Sequence, residues 1–155
     1  MDPLDRTIIS ILLENARTPY RQIAARLGVS ATTIHHRIQR LKDRGIIRGT
    51  RITLDWEAVG LPVTALVSVE YAGPDGLGDV ATELARIPYI QNCYAVTGEF
   101  DLLLTVRARS SDHLGEVLED IRRIVPGRSR TVVVLATYFE GRIPPIAGTE
   151  TDGRG

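Results

Sequence analysis

One cysteine, one methionine, one tryptophan and two phenylalanines are all that this 155-residue chain holds of those types. With Cys93 alone there is no disulfide framework and no cysteine-based zinc site. Aromatic residues make up 5% of the chain, so its cores must be built from aliphatic side chains. No apolar run approaches the roughly 18 residues needed to cross a bilayer. The opening Asp2-Pro3-Leu4-Asp5-Arg6 is neither a secretory nor a transit signal, so a soluble cytoplasmic protein without a membrane partner is expected. Net charge is absent too: nineteen basic residues balance nineteen acidic ones. What remains, 43% apolar and 25% charged, suits one globular domain or two small ones.

The zero net charge hides an asymmetry. Up to residue 50 there are nine basic residues against four acidic ones, a surplus of +5, so the rest carries −5. From Arg17 to Arg48 eight basic residues face Asp43 alone. A basic module joined to an acidic one directs only the first toward a polyanion. On charge alone, a solvated helical face explains the surplus as well.

Three helices are legible in the N-terminal third. Asp2-Pro3 reads as an N-cap followed by a first-turn proline, with Leu4, Ile8, Ile11 and Leu12 at helical spacing. Thr18-Pro19 repeats that signal before Ile23, Ala24 and Leu27. Gly28-Val29-Ser30 is a tight turn whose serine caps a third helix built on Ile34, Ile38 and Leu41 and stopped by Gly45. Two helices joined this way form a helix-turn-helix, or else an ordinary helical hairpin. With Ile34 inward, Thr32, His36, Gln39 and Asp43 turn outward and Thr33, His35 and Arg40 flank them. Thr, His and Gln near a helix start can read base edges, and Arg21, Arg37, Arg40, Lys42 and Arg48 can meet phosphates. Residues 45–54 read as a small wing or hinge strand, with Trp56 and Val59 in a linker.

From Leu61 the periodicity changes to two. Val63, Ala65, Val67, Val69 and Tyr71 alternate with polar residues, then Gly73-Pro74-Asp75-Gly76 turns the chain. A helical stripe (Val80, Leu84, Ile87) precedes a strand over 89–97, a turn at Gly98-Glu99 and a strand over 100–108. A second helix carries Leu114, Val117, Leu118, Ile121 and Ile124 inward, and residues 130–139 form the last strand. The order β-α-β-β-α-β is the ferredoxin-like arrangement, an antiparallel sheet with both helices on one face. The final strand, Val132-Val133-Val134-Leu135-Ala136, does not alternate, so both its faces should be buried, one by a second subunit. The expected map is a helix-turn-helix domain over 1–49, a hinge over 50–60, a ferredoxin-like domain over 61–140 and a disordered tail over 141–155.

At this point the sequence resembles the Lrp/AsnC (leucine-responsive, feast/famine) family of transcriptional regulators. The resemblance spans residues 2–140. It rests on Leu4-Asp5-Arg6, Gly28-Val29-Ser30, Arg37-Ile38, Leu41, Gly45-Ile46-Ile47, Gly49, Gly60 and the run from Val96 through Gly98-Glu99-Phe100-Asp101 to Leu103. It implies an α+β chain: a winged helix-turn-helix followed by a ferredoxin-like domain that binds an effector and oligomerises. Such proteins form homodimers, commonly joined into octameric discs, on double-stranded DNA, tuned by an amino acid or related metabolite. The DNA contacts expected from the residues themselves are Arg21, Ser30, Thr32, Thr33, His36, Arg37, Gln39, Arg40, Lys42 and Arg48. The implied effector positions are Ala95, Gly98, Glu99, Asp101, Thr131 and Val133, near the central hairpin and between neighbouring dimers. This chain departs from the pattern at Ser30-Ala31, where Ser-Pro is usual, at Lys42, where an acid is common, and in a shorter stretch from Pro126 to Thr131.

A zwitterion would suit that hairpin, with Asp101 taking an ammonium group and N–H groups around Gly98 a carboxylate. Alternatively Gly98-Glu99 is only a turn and Asp101 bonds nearby backbone. No catalytic constellation, metal site or cofactor motif stands out. His35 and His36 point about 100° apart on a helix. Ser110-Ser111-Asp112-His113 is contiguous at a strand-to-helix junction and reads as a helix cap rather than a relay. Two other readings stand beside the regulator, which would be cytoplasmic and nucleoid-associated. One is a ferredoxin-like metabolite-binding domain or small enzyme whose helices serve assembly. The other is a DNA-architectural protein without an effector.

Overall fold

The computed structural model describes residues 1–74 and 76–146. They divide into two compact units, one holding Met1–Ile52 and the described residues from Phe139, the other Thr53–Tyr138.

The first unit contains α1 (Pro3–Glu14), α2 (Tyr20–Leu27) and α3 (Ala31–Asp43). Asp2 caps α1 by accepting the Asp5 N–H at 2.8 Å, and the Asp5 carboxylate reaches back to the Asp2 N–H at 3.4 Å. Ser30 caps α3 by accepting the Thr33 N–H at 3.0 Å. At α2 the cap position is Pro19 itself, with no side-chain hydrogen bond. Thr18, read as that cap, instead donates its hydroxyl to the Asn15 carbonyl at 2.7 Å. Gly28 ends α2 at φ +67, where a side chain would be strained. Ile8, Ile11, Ile23, Ala24, Ile34 and Ile38 close the core between the helices. Residues 45–55 form no strand: the chain turns and bends through Gly45–Ile47 and stays irregular to Asp55, so the expected wing or hinge strand is not formed there.

The second unit runs β1 (Val63–Val69), α4 (Leu77–Leu84), β2 (Ile90–Ala95), β3 (Leu102–Ala108), α5 (Ser111–Ile124) and β4 (Ser129–Val133). The strands form one antiparallel sheet in the order β2-β3-β1-β4. This is the ferredoxin-like arrangement the alternation predicts. Ala65, Val67 and Val69 of β1 and Leu102, Leu104, Val106 and Ala108 of β3 face the helices, where Val80, Leu84, Leu114, Val117 and Ile121 cover them. Each such residue buries apolar area worth about 1.5–3 kcal/mol for a full-sized aliphatic side chain.

The opposite face is open: Leu66, Tyr94 and Val132 stand exposed on it. A deeply buried polar side chain on it is Arg107, 6% exposed. That guanidinium donates to Gln91 Oε1 at 2.8 Å and Thr64 Oγ1 at 2.6 Å, and lies 4.9 Å from the Trp56 ring.

The last strand is a correction. It spans five residues rather than 130–139. Its partner β1 begins at Val63, after Pro62, which has no N–H to donate, and the final bond runs from the Val134 N–H to the Thr64 carbonyl at 2.9 Å. Beyond that there is no strand to pair with. Nor is the apolar run buried within the chain: Val132 and Val133 are about half exposed, and Leu135 is 97% exposed. Of the tail expected to be disordered, residues 147–155 lie outside the described residues.

Candidate functional site

On the first unit the candidate surface is the outward side of α3. Thr32 and His36 lie one turn apart and exposed, where hydroxyl and imidazole can meet base edges. Thr33 is half-buried, its hydroxyl 2.8 Å from Ser30 Oγ, so both side chains also serve the helix cap. Gln39 is exposed; one N–H of its amide donates to Asp43 Oδ1 at 2.9 Å, which leaves its second N–H and its oxygen for a base edge. Arg21 on α2, Lys42 on α3 and Arg48 just beyond are exposed, and among the described residues no carboxylate pairs with them.

Arg37 belongs to the scaffold. Its guanidinium donates to Asp2 Oδ2 and, at 2.8 Å, to Asp5 Oδ1, tying α3 to the start of α1. Asp5 is only 1% exposed. Burial raises its pKa, but the Arg37 hydrogen bond and the Asp2 N–H outweigh burial and hold it below the usual carboxylate range. The Arg37 hydrogen bond likewise lowers Asp2, and the two carboxylates raise Arg37. An arginine committed to two acids is a poor phosphate ligand, so the phosphate role read for Arg37 gives way to a structural one. Arg40 stands between the two roles: Nη2 reaches Asp5 Oδ2 at 3.2 Å while the side chain remains half exposed. Asp2 and Asp5 escaped the sequence reading as partners. The available signal was an acid at both ends of a capping box, which leaves one negative charge more than a helix start requires.

On the second unit the candidate effector positions do not all meet. Gly98, Glu99 and Asp101 form the β2–β3 hairpin, closed by the Val96 N–H donating to the Asp101 carbonyl at 2.9 Å, with Gly98 at φ +121. Ala95 sits at its base, paired with Leu102. Thr131 and Val133 pair with Val67 and Ala65 on β4, at the opposite sheet edge from β2. Three strand spacings separate those edges, about 14 Å. Ala95 on β2 is therefore far from Thr131 and Val133, whereas the hairpin tip reaches the start of β4 within one chain through Glu99.

The hairpin gathers other residues instead. The Asp101 carboxylate accepts the Tyr71 N–H at 2.7 Å, and its own N–H donates to the Val69 carbonyl at 3.0 Å. Arg128 donates from Nε to Glu70 Oε2 and from Nη1 to Glu99 Oε1, each at 2.8 Å, with Cζ 5.2 Å from the Phe100 ring. Those carboxylates raise the Arg128 pKa, the Glu70 hydrogen bond most. Glu70, Phe100 and Arg128 were missed because 28–58 residues of sequence separate Arg128 from its partners and no local pattern links them.

His113 accepts the Arg109 N–H on Nδ1 at 3.1 Å, packs against Tyr89, and has its N–H capped by Ser110 Oγ at 3.2 Å. Ser110 is thus the cap of α5. Among the described residues no group of His, Cys, Asp or Glu could hold a metal, and no helix is long and apolar enough to cross a membrane.

Comparison with known proteins places both units. Residues 1–48 match the winged helix-turn-helix DNA-binding family model, and residues 63–144 match the Lrp/AsnC ligand binding domain. An HTH-type transcriptional regulator of Pyrococcus horikoshii is 35% identical over 138 residues, covering 88% of this chain and 92% of that protein. The regulator LrpA of Mycobacterium tuberculosis is 30% identical over 142 residues, 92% and 95% of the two chains. Among solved structures, the M. tuberculosis feast or famine regulatory protein complexed with L-methionine superposes with TM-score 0.87 at 30% identity, over 94% and 99% of the chains. Escherichia coli AsnC gives 0.83 at 31% identity, over 92% and 97%.

Proposed function

The chain belongs to the Lrp/AsnC family of transcriptional regulators, and on that premise we propose that it is a sequence-specific DNA-binding regulator whose assembly and DNA affinity respond to an amino acid. The observation that carries the reading is the capped α3, anchored through Arg37 yet presenting an uncompensated basic and hydrogen-bonding face. That helix enters the major groove. Thr32, Thr33, His36 and Gln39 lie at base edges, and Arg21, Arg40, Lys42 and Arg48 neutralise phosphates. The Ser30 N-cap orients the start of the helix.

The exposed apolar sheet face and the end of β4 pair with a second copy, so two recognition helices address a roughly palindromic site. Dimers join further around the hairpins, where the effector binds near Ala95, Gly98, Glu99, Asp101, Thr131 and Val133. Ala95 lies on the sheet edge opposite Thr131 and Val133, which supports a site completed by a second protomer. A relative that binds L-methionine supports an amino acid as the effector class. The protein is a regulator rather than an enzyme, acting in the cytoplasm on the nucleoid.

The test is to select genomic fragments on the purified full chain, with and without the twenty L-amino acids, and to sequence what is retained. Specific sites whose recovery changes with one amino acid are expected. Recovery of random fragments, unchanged by all twenty, would overturn the reading in favour of an architectural protein.

A further inference from the structure

We propose that Arg128 takes the carboxylate of the amino-acid effector, and that Glu99 gives up Arg128 and turns to the effector's ammonium group. The inference rests on the proposed amino-acid response and names the chemistry of that site. A zwitterion needs one cation and one anion within reach of each other. Arg128 and Glu99 are such a pair, 2.8 Å apart, with side chains 56% and 60% exposed. An ion pair this open contributes little in water, so exchanging it for two pairs with a ligand costs little.

The fork is held ready. Glu70 fixes the Nε edge of the guanidinium and Phe100 lies against its face, which leaves the Nη nitrogens for a planar carboxylate. The backbone is set as well. The Glu70 N–H donates to the Arg128 carbonyl at 2.9 Å, and a Cβ on Gly127 would come within 2.6 Å of the Glu70 carbonyl oxygen. Only glycine permits that crossing. Asp101, read from sequence as the ammonium partner, holds the Tyr71 N–H and ties the hairpin to β1. It positions Glu99 rather than touching the ligand.

The test uses the full-length protein and calorimetric titration. The best binder among the twenty L-amino acids is compared with its carboxamide, on the parent and on Arg128→Met. The parent should prefer the acid over the amide by about tenfold, and the variant should lose affinity for the acid and this preference together. Arg128→Lys, which keeps the charge without the fork, should retain part of the preference and serves if the methionine variant does not fold. A variant that still discriminates acid from amide as the parent does overturns the assignment of Arg128 while leaving the amino-acid response standing. If no amino acid binds the parent, the effector reading itself falls, and this inference with it.

Discussion

The two modules close their cores with the same aliphatic residues but leave different things outside. In the first, Ile8, Ile23, Ile34 and Leu41 are wholly buried, and the buried carboxylate Asp5 is met by two arginines. What remains outward is charge and hydrogen-bonding capacity on α3. In the second, the helix-facing side of the sheet is equally well filled, yet Leu66, Tyr94 and Val132 stand open on the other side and Leu135 and Tyr138 are almost bare. A module complete in itself presents charge to a polyanion. A module that leaves Leu66, Tyr94 and Val132 open among polar neighbours offers apolar area that a protein surface can cover, as proposed above.

The largest effect should come from breaking the second half of that contrast. Leu66 and Val132 are register partners on the open face, so Leu66→Asp with Val132→Asp puts two carboxylates on its β1–β4 side without touching the core. We expect sedimentation as a 17.1 kDa monomer. DNA affinity should fall about 10²–10⁴-fold, since two recognition helices no longer bind as one unit. A double variant that sediments like the parent would mean that the uncovered face is not where copies meet.

Next comes the independence of the modules. Ile8→Ala should cost about 2–5 kcal/mol, confined to the first unit. Trp56, the single tryptophan, lies in the second unit and reports on it by fluorescence. The helical signal of the first unit should melt earlier while the Trp56 transition stays in place. If both shift together, the chain unfolds as one body and the contrast has no energetic content.

The elements were legible wherever the cause was local. Asp2, Ser30 and Ser110 announce their helices because a cap acts over three residues, and Ala65, Val67 and Val69 announce a strand because alternation is a nearest-neighbour property. Where the cause was remote, the reading failed. The apolar run through Val134 and Leu135 looks like strand, but β4 stops because β1 has already ended. Arg37 looks like another phosphate contact until the fold brings Asp2 and Asp5 to it from 35 and 32 residues away. Arg128 and Arg107 are the same case, one shared between Glu70 and Glu99, the other roofed by Trp56. Basic residues on a helix look alike in sequence, and only the fold separates those that hold the protein together from those left for a ligand.

The Asp5 cluster is the place to sharpen that separation. Asp5→Asn should cost about 2 kcal/mol in the first unit, as charge-assisted bonds become neutral ones. Its pH signature has a defined sign. Asp2 and Asp5 have pKa values lowered by folding, so the unfolded chain binds more protons and stability rises with pH. The contribution is complete above the ordinary carboxylate value of about 3.9 and is lost as pH falls through the lower folded values. In acid denaturation Asp5→Asn should show a shallower decline below that value than the parent. An identical decline would mean that the cluster does not govern the module's acid stability.

The smallest effect separates scaffold from contact most directly, because it is read as a slope rather than an affinity. Each phosphate neutralised releases counterions and adds about −0.9 to the log–log dependence of DNA affinity on salt. Lys42 is exposed and has no carboxylate partner among the described residues, so Lys42→Ala should flatten the slope by about 0.9 per protomer, whatever the DNA sequence. Arg37→Ala removes the same formal charge, but from a group held by Asp2 and Asp5, so it should lower the stability of the first unit and leave the slope of the folded protein nearly unchanged. Titrating both variants across a salt series on one DNA fragment compares two cations five residues apart on the same helix. Equal slopes would mean that Arg37 leaves its acids to meet the phosphates, and that the division between holding and contacting does not survive binding.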